Sequence, residues 1–537
     1  MVHSGKLSIK EKLGYALGDG AANIAWRGVS TFLFVFYTDV FGLQPASVGL
    51  LMLVARFGDG VSDVLMGVVG DRTKSKYGKF RPWILWTAIP LGVILSLLFT
   101  APDLSDTGKL VYAYSTYIIF TLVYTANNIP YGALMAVMTG DDKERTSLGS
   151  YRMVGAFAGG MLVQGALLFL VLHFGAVDSE VNLQQIDSDS YELVINASED
   201  IANVNVKTKD GVALFVWSDS LLAEGDNSAT VGKSFSMEEG LSYSFIVSGE
   251  EGLQVSDIQI IDQKRGYSSS IYILSVVLAL SLLVTFYTTR ERIQPPPSQK
   301  TKLLDDLRDL VKNKPWWILL MTGLIFQVYN SIKQGIVVIY FSHYLHNQLL
   351  AGSYMVALMV ASIAGAMATT WLANRLGKKM LFVYAFLFSG FINAFLAFCG
   401  SSDISAIFII GVVSEFGAAI FPTLFFAMLG DAADYSEFMN GRRATGLIYS
   451  AGSFSTKVGG GVAGAIIGFV LAAFSYDGQN SAAIEGAVPG IIMLMSWIPS
   501  IVAVIGALLM SVYPLNQNKM DEITTELGRR RSAVSNV

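Results

Sequence analysis

The chain has little of what soluble chemistry usually requires. Its 537 residues include one cysteine and four histidines, and charged residues make up 15%, against about 25% in a soluble domain. The lone Cys399 excludes an internal disulfide framework and a cysteine-based zinc site, and four histidines argue against a histidine-rich metal site. The sequence also has no nucleotide-binding loop and no nucleophile–base arrangement. We therefore expect neither an enzyme nor a nucleic-acid partner.

What the chain has instead is long apolar runs. Hydrophobic residues make up 53% of the sequence, and the mean hydropathy is +0.50. About twelve segments approach the ~20 residues that cross a bilayer. We place them at 13–36, 45–69, 82–101, 110–138, 148–174, 267–289, 315–341, 351–373, 380–399, 404–428, 445–474 and 488–513. The polar start, residues 1–12, does not resemble a cleavable signal peptide. The sequence thus predicts an all-α protein within the lipid bilayer.

Basic residues between the spans predict its orientation. They concentrate in alternate loops and in the tail, at 72–81, 290–314, 375–379, 442–443 and 529–531. The intervening loops 37–44 and 475–487 contain no lysine or arginine. By the positive-inside rule we expect a multi-pass membrane protein with both termini in the cytoplasm.

The spans form two sets of six, which is typical of the major facilitator architecture. A charged linker containing Pro295, Pro296 and Pro297 separates the two sets. We divide the chain into helices 1–5 of the N-terminal half (1–177), an insert (178–266), helix 6 (267–289), a cytoplasmic linker (290–314), helices 7–12 of the C-terminal half (315–513) and a cytoplasmic tail (514–537).

The insert has the composition of a small β-rich domain. It contains 17 acidic and 5 basic residues. Runs at 191–195, 213–217, 243–247 and 253–261 resemble strands and are bounded by glycine-containing turns. We predict an extracytoplasmic β-rich domain. It is either a solvated decoration without a ligand, or a sugar-binding lid or docking surface for a periplasmic partner.

Two aspartates in one apolar span are the strongest functional signal. Asp59 and Asp63 are four residues apart, so they share a helix face, and Arg56 lies on the same face. Ionisable groups inside a membrane are costly and usually face a bundle interior or a water-filled cavity. Arg56 can neutralise one carboxylate, and a Na⁺ ion or a proton can serve the other. The alternative is a structural ion pair with Arg56 or Lys457.

Four stretches resemble the glycoside–pentoside–hexuronide:cation symporter family. They lie at 12–23 with 37–42, at 54–83, at 127–134 with 144–152, and at 430–437 with 442–450 and Lys457. The resemblance covers both halves and excludes the insert. It implies the major facilitator fold and sugar transport coupled to a cation, with no cofactor beyond the coupling ion. Together with the absence of targeting signals, it also implies placement in the inner membrane of a bacterium.

The resemblance implies a cation site. In the family two carboxylates bind the ion beside a threonine and a lysine, and these match Asp59, Asp63, Thr125 and Lys457. Na⁺ is the first expectation because both aspartates and Thr125 are present. The amide of Asn128 stands where the family has a third carboxylate, which leaves H⁺ open.

The resemblance also implies a sugar site. The family holds its carbohydrate with acids on helices 1 and 4, an arginine and a stacking tryptophan, which correspond here to Asn23, Asn128, Arg152 and Gly132. Amides can still donate and accept hydrogen bonds, and they do not repel an anion. Arg27, one turn after Asn23, adds positive charge and favours a uronide or other acidic sugar.

Further candidates for the sugar site come from the residues themselves. Trp26 is a candidate stacking platform, with a packed or interfacial tryptophan as the alternative. Gln327, Asn330 and Gln334 form one polar stripe on the seventh span, as expected for a cavity wall.

Charged residues at two matching places predict a cytoplasmic gate. Salt bridges between the halves would close it, and the alternative is ordinary loop solvation together with topology signalling. The candidate gate residues are Arg56, Asp71, Arg72, Lys79 and Arg81 in the N-terminal half, and Asp431, Asp434, Glu437 and Arg443 in the C-terminal half.

The sequence therefore predicts a symporter that imports a sugar, glycoside, uronide or oligosaccharide with Na⁺ or H⁺ by alternating access. One rival is a lysolipid or drug carrier of the same fold. A second rival is a membrane sugar sensor that uses the insert, and Asp59, Asp63 and Lys457 argue against it because a sensor needs no coupling ion.

Overall fold

Long helices make up most of the protein, for which a computed structural model describes residues 6–139, 142–187, 190–208, 215–217, 230–231, 235–248, 254–292, 311–440 and 445–535. The helices of the N-terminal half are α1 (Ile9–Val35), α2 (Pro45–Arg72), α3 (Arg81–Leu98), α4 (Asp106–Met138), α5 (Asp142–Gly175) and α6 (Gln263–Thr288). A π-helical segment, Phe36–Val40, extends α1.

The C-terminal half has more helices than predicted spans. They are α7 (Lys314–His343), α8 (Gln348–Leu376), α9 (Lys378–Ala394), α10 (Ile404–Ala418), α11 (Ile420–Asn440), α12 (Thr445–Ala473), α13 (Ser481–Met495) and α14 (Trp497–Ser511), followed by α15 (Gln517–Ser535) in the tail. Two predicted spans, 404–428 and 488–513, are each broken into two helices. Pro422 and Pro499 explain the breaks, because each is the third residue of the second helix, where a missing N–H is tolerated.

Nine helical segments of the described chain are long and apolar enough to cross a membrane. They do not include α1, α2 and α4, although each covers a predicted span. These three are more polar because they carry Asp19, Asp59 and Asn127, which are buried inside the bundle. The helices that are least typical of membrane spans are thus the ones that bring polar groups to the interior.

Small residues allow the helices to approach closely, as is common in membrane bundles. In the N-terminal half, Gly155 and Gly159 of α5 lie against backbone atoms of Ala16 and Gly20 in α1. Between the halves, α2 and α12 meet at glycines, and a Cβ on Gly49 would lie 2.8 Å from the carbonyl oxygen of Gly464. This second contact is one of those that hold the two halves together.

The insert is built from two antiparallel sheets. Its strands are β1 (Ala176–Val177), β2 (Glu180–Asp187), β3 (Ser190–Asn196), β4 (Ile201–Thr208), β5 (Phe215–Trp217), β6 (Thr230–Val231), β7 (Phe235–Met237), β8 (Ser242–Ser248) and β9 (Ile258–Asp262). One sheet has the order β1-β9-β4-β7 and the other β2-β3-β8-β5-β6. Leu193 and Phe245 from one sheet and Val204, Val206 and Ile260 from the other share a buried core. The prediction of an all-α membrane fold with a small β-rich insert is therefore confirmed.

The insert is continuous with two helices of the N-terminal half, α5 and α6. β1 follows α5 without a break, β9 runs into α6, and β1 pairs with β9. Sequence patterns located β3, β5, β8 and β9 but missed β2 and β4, in which polar residues interrupt the apolar alternation. We call the end of the bundle that carries these strands the insert side, and the opposite end, where α1 begins and α6 ends, the linker side.

We predict that the α1–α5 contact limits stability. A Cβ on Gly159 would collide with the backbone oxygen of Gly20, so Gly159→Ala should cost about 1–3 kcal/mol through overpacking. Gly149, on the same helix, has nothing within 4 Å of its Cβ position, so Gly149→Ala should be neutral or stabilising by up to ~1 kcal/mol. Melting temperatures of the detergent-purified variants would test this, and equal shifts for both would contradict it.

Candidate functional site

The carboxylate of Asp63 joins three helices. Its Oδ1 accepts a hydrogen bond from the Thr125 hydroxyl of α4 at 3.2 Å. Its Oδ2 accepts one from the Lys457 ammonium of α12, so the contact also joins the two halves. Three of the four residues of the expected cation site are therefore in direct contact, although hundreds of residues separate Asp63 from Lys457 in sequence.

Asp59, one turn earlier, has a different partner. Its Oδ2 lies 3.0 Å from Nη1 of Arg56, and both side chains are buried. The Arg56 guanidinium also lies 4.2 Å from the ring centroid of Trp26. The structure therefore places Arg56 in the interior beside the carboxylate pair, away from the loop residues with which it was grouped as a gate candidate.

This cluster is electrically balanced without an ion. Each carboxylate has one cationic partner, Arg56 for Asp59 and Lys457 for Asp63, as the high cost of an unpaired buried charge requires. The hydroxyls of Ser62 and Thr125, 3.5 Å apart, supply further oxygen atoms. Carboxylate and hydroxyl oxygens are suitable ligands for a hard cation, which would have to displace Lys457 from Asp63 to reach both.

A central cavity of about 530 Å³ lies between the halves. This volume is in the range of small-molecule sites. Both halves supply polar groups to its wall: Asn23 and Arg27 from α1, Gln164 from α5, Asn330, Lys333 and Gln334 from α7, Ser362 from α8, Glu415 from α10 and Thr423 from α11. Apolar walls come mainly from Met153, Phe157, Met355, Met359 and Phe426.

Four of the eight predicted substrate residues line this cavity: Asn23, Arg27, Asn330 and Gln334. Two others, Trp26 and Gln327, line a smaller cavity of about 60 Å³ together with Arg56 and Lys457. One face of the Trp26 ring is already covered by Arg56. Gln334 lines both cavities and so lies between the cation cluster and the central cavity.

The remaining two predicted substrate residues lie elsewhere on the N-terminal half. Nε of Arg152 is 3.1 Å from Oδ1 of Asp19, and the guanidinium lies 5.5 Å from the ring of Tyr131. Asn128 is half-buried on α4, one turn after Thr125. The positive charge of Arg152 is therefore already compensated, whereas Arg27 has no hydrogen-bond or ion-pair partner among the described residues.

Sequence reasoning missed Asp19, Glu415 and the role of Lys333. Lys333 Nζ lies 3.6 Å from Oε2 of Glu415 and donates a hydrogen bond to the Ser414 hydroxyl at 2.9 Å. The signal was available, because an ionisable residue within an apolar span is a site candidate in itself. Asp19 in α1 and Glu415 in the apolar run of α10 both meet that criterion.

Ion pairs on the linker side join elements of one half. Nζ of Lys378 lies 2.7 Å from Oδ1 of Asp431. The Glu291 carboxylate accepts hydrogen bonds from the backbone N–H groups of Lys79 and Arg81. Of the other gate candidates, Arg72 is exposed and Asp434 and Glu437 are half-buried. Asp71 is the penultimate residue of α2, and Arg443 lies outside the described residues. Salt bridges between the halves at this end stay a prediction.

On the insert side the halves touch. Nε2 of His343, at the end of α7, lies 2.8 Å from Oδ2 of Asp39, at the end of the α1 extension. The Tyr476 hydroxyl donates to the other oxygen of Asp39 at 2.8 Å. Further along, the backbones of Gly165 in α5 and Gly352 in α8 are in close contact. The central cavity is thus closed toward the insert.

Solved structures share this fold. A bacterial homologue of the human lysosomal transporter Spinster matches with a TM-score of 0.62 at 13% identity, over 94% of this chain and 96% of that one. A D-xylose–proton symporter matches with a TM-score of 0.55 at 12% identity, over 94% and 97%. The two halves around a central polar cavity define a membrane transporter of the major facilitator fold.

Sequence relatives narrow the class. The chain is 29% identical to the inner membrane symporter YicJ of Escherichia coli (strain K12) over 98% of its length and 96% of the relative. It is 27% identical to an isoprimeverose transporter of Lactiplantibacillus pentosus over 96% and 91%. The model of the MFS/sugar transport protein family matches residues 14–222 and 240–517.

The chain belongs to that family, within the glycoside–pentoside–hexuronide:cation symporters. The predicted class, a cation-coupled sugar symporter and not an enzyme, is confirmed.

Proposed function

We propose that this protein imports a sugar through the central cavity and couples the import to one cation bound at Asp59 and Asp63. The observation that carries the proposal is the position of Gln334, which lines both the central cavity and the small cavity that holds Lys457. A sugar that binds Gln334 therefore lies one side chain away from the group that the cation must displace. This proximity gives the two ligands a physical means of affecting each other's affinity.

The cation site consists of Asp59, Asp63 and Thr125, with Lys457 as its internal competitor. Na⁺ is our first choice because the three residues offer carboxylate and hydroxyl oxygens, and H⁺ is the alternative because a carboxylate can be neutralised by either. When the ion is absent, the Lys457 ammonium compensates Asp63. The empty carrier thus avoids an unpaired carboxylate in the membrane and can change conformation without the ion.

The substrate is a sugar with an anionic group, and Arg27 is its counter-charge. Arg27 lines the cavity without a hydrogen-bond or ion-pair partner among the described residues, whereas Arg152 is compensated by Asp19. A carboxylate can bind a guanidinium through two parallel hydrogen bonds. The amides of Asn23, Asn330 and Gln334 then serve the sugar hydroxyls. A hexuronide or a uronide-containing oligosaccharide has this combination of groups.

Closure at the insert side supports an inward-facing state. With the insert outside and both termini in the cytoplasm of a bacterium, the Asp39–His343 contact lies on the outer face of the inner membrane. The cavity would then release its sugar toward the cytoplasm, and rocking of the halves would reopen it to the outside.

We predict that cation coupling depends on both aspartates. Asp59→Asn and Asp63→Asn should each abolish accumulation of labelled sugar driven by a Na⁺ or H⁺ gradient in membrane vesicles, because the amide cannot compensate a cation. Thr125→Val removes one neutral ligand and should raise the half-saturating cation concentration by roughly tenfold or less.

Ser96→Ala is the control, because the Ser96 hydroxyl donates to the Gly92 carbonyl of its own helix, outside the cation cluster, and the variant should retain gradient-driven uptake. If sugar accumulation depends on neither gradient and is unchanged by both aspartate substitutions, the proposed coupling site is wrong.

We predict that Arg27 selects the anionic substrate. Arg27→Gln should weaken binding of a 4-nitrophenyl glucuronide by roughly 10- to 100-fold, the value of a charge-assisted hydrogen bond. The matched neutral 4-nitrophenyl glucoside should lose little, and Arg27→Lys should recover part of the affinity. Calorimetric titration of the purified protein measures both ligands, and equal losses for glucuronide and glucoside would exclude this role of Arg27.

A further inference from the structure

We propose that Glu415 is a substrate-contacting residue that binds sugar hydroxyls on the C-terminal wall of the central cavity, with Lys333 and Ser362 as its positioning residues. This inference rests on the proposed function and names a contact that the sequence did not predict. The starting point is the geometry of the carboxylate. Oε1 accepts a hydrogen bond from the Ser362 hydroxyl at 2.7 Å, and Oε2 lies 3.6 Å from Nζ of Lys333.

The two members of the ion pair are not equally enclosed. The Lys333 side chain is 4% exposed, whereas that of Glu415 is 19% exposed. Lys333 is fixed from the other side by the Ser414 hydroxyl and lies 5.3 Å from the ring of Tyr329. An ion pair that only joins helices would have no need to expose its acid to a cavity. Here the lysine is enclosed and holds the carboxylate at the cavity wall.

The carboxylate has acceptor capacity to spare. An ionised carboxylate can accept about four hydrogen bonds, and the contacts given above account for two. Vicinal hydroxyls of a sugar donate two hydrogen bonds in one plane, which suits the open side of Glu415. Arg27 lines the same cavity from α1, close enough to Glu415 to interact with it electrostatically. A sugar bound to both residues would connect the two halves.

The test uses monodeoxy derivatives of whichever 4-nitrophenyl glucuronide, glucoside or xyloside the wild type binds. The wild type should prefer the parent sugar over at least one monodeoxy derivative by roughly tenfold or more. Glu415→Gln should reduce that preference to about threefold or less, because it replaces a charged acceptor by a neutral one. Asp403→Asn, which makes the same acid-to-amide change at the exposed start of α10, should retain the preference.

Each outcome decides. If Glu415→Gln keeps the full preference while the protein remains folded by melting temperature, Glu415 does not contact the sugar. If Glu415→Gln loses binding and melting temperature together while Asp403→Asn keeps both, the cluster is structural and Glu415 does not act as a sugar ligand. If the wild type binds no sugar of the panel, the proposed function fails and not merely this contact.

A different observation, on the insert, carries a second proposal. We propose that β4 of the insert is part of the outer gate, with Lys207 as a latch between the halves. In β4, alternate residues point to opposite faces, and Val204 and Val206 fill the core of the insert. Asn205 and Lys207 point the other way, toward the helix ends, and both are buried.

Lys207 crosses from one half to the other. The insert is fixed to α5 and α6 of the N-terminal half, and β4 pairs directly with β9. The Lys207 ammonium donates a hydrogen bond to Oε1 of Gln348, the first residue of α8 in the C-terminal half. Nε2 of Gln348 donates in turn to the Tyr267 hydroxyl of α6 at 3.3 Å.

The surroundings of Lys207 form one enclosed space of about 60 Å³, which Asp39, His343 and His346 also line. Burial lowers the pKa of Lys207 to about 8, and the negative charge of Asp39 opposes that shift. Burying a lysine without a carboxylate in direct contact is costly. The Lys207–Gln348 hydrogen bond can therefore break at little cost when the gate opens. Opening toward the insert must break it together with the Asp39–His343 pair.

The single native cysteine makes the test direct. In a Cys399→Ser background, Lys207→Cys with Gln348→Cys should react with a reducible bis-methanethiosulfonate reagent. Crosslinking should reduce vesicle uptake to background, and reductant should restore it. The control pair, Asp178→Cys with Ser198→Cys, lies wholly within the insert, where the Ser198 hydroxyl contacts the Asp178 carbonyl. Its crosslink should leave uptake intact.

A crosslinked carrier that still accumulates sugar, or an active double variant that cannot be crosslinked, overturns the latch. If the double variant is inactive, Lys207→Cys alone decides. Its thiol should react with an impermeant maleimide several times faster during turnover than at rest, whereas the exposed Ser198→Cys should show no difference. If Lys207→Cys is labelled at the same rate during turnover as at rest, the proposed latch is also wrong. Absent uptake by the uncrosslinked wild type counts instead against the proposed function.

Discussion

The rest of the structure depends on the rule that a charge inside the membrane must be compensated. Four carboxylates inside the bundle each have a cationic partner: Asp19 has Arg152, Asp59 has Arg56, Asp63 has Lys457 and Glu415 has Lys333. Only the Asp59–Arg56 pair lies within one helix. The other three join α1 to α5, α2 to α12 and α7 to α10, so compensation of charge also determines which helices meet.

Of these pairs, Asp63–Lys457 has the greatest consequence because its members come from different halves. The pair is accompanied by the glycine contact of Gly49 and Gly464, which lets α2 and α12 approach closely. If a cation displaces Lys457, as we propose, it breaks this contact between the halves. Ion binding would then act on the interface that has to rearrange during transport, which is what coupling between ion and conformation requires.

The sequence predicted the positions of helices, and which residues share one helix face, better than it predicted the contacts between helices. Its predicted spans correspond to the observed helices, and the four-residue spacing correctly placed Asp59 and Asp63 on one face. The meeting of Asp63 with Thr125 and Lys457 was implied only by family resemblance, because periodicity says nothing about a partner on another helix. Arg56 beside Trp26 was missed for the same reason.

Where sequence reasoning looked for conspicuous patterns, it also passed over single residues. Asp19 lies in a stretch that was used only for the family resemblance, and Glu415 and Lys207 belong to none of the four stretches. The structure shows the role of each residue through its partner. Pro422 and Pro499 could have predicted the two helix breaks, but each lies in a long apolar run that we predicted as a single span. Composition also fails to predict burial in the insert. There, Lys207 of β4 is buried on the face of the strand opposite the apolar core of the insert.

The charge balance of the interior leads one step further. Among the described residues, these four pairs together with Arg27, which has no ion-pair partner there, sum to one positive charge when no ligand is bound. Loading with one cation and one singly charged acidic sugar leaves that total unchanged, whereas a neutral sugar would raise it by one. A membrane potential changes the energy of a moved charge by about 2.3 kcal/mol per 100 mV. If the substrate is an acidic sugar, as we propose, the loaded and the empty step would move the same charge in opposite directions. The membrane potential would then neither drive nor oppose the complete cycle.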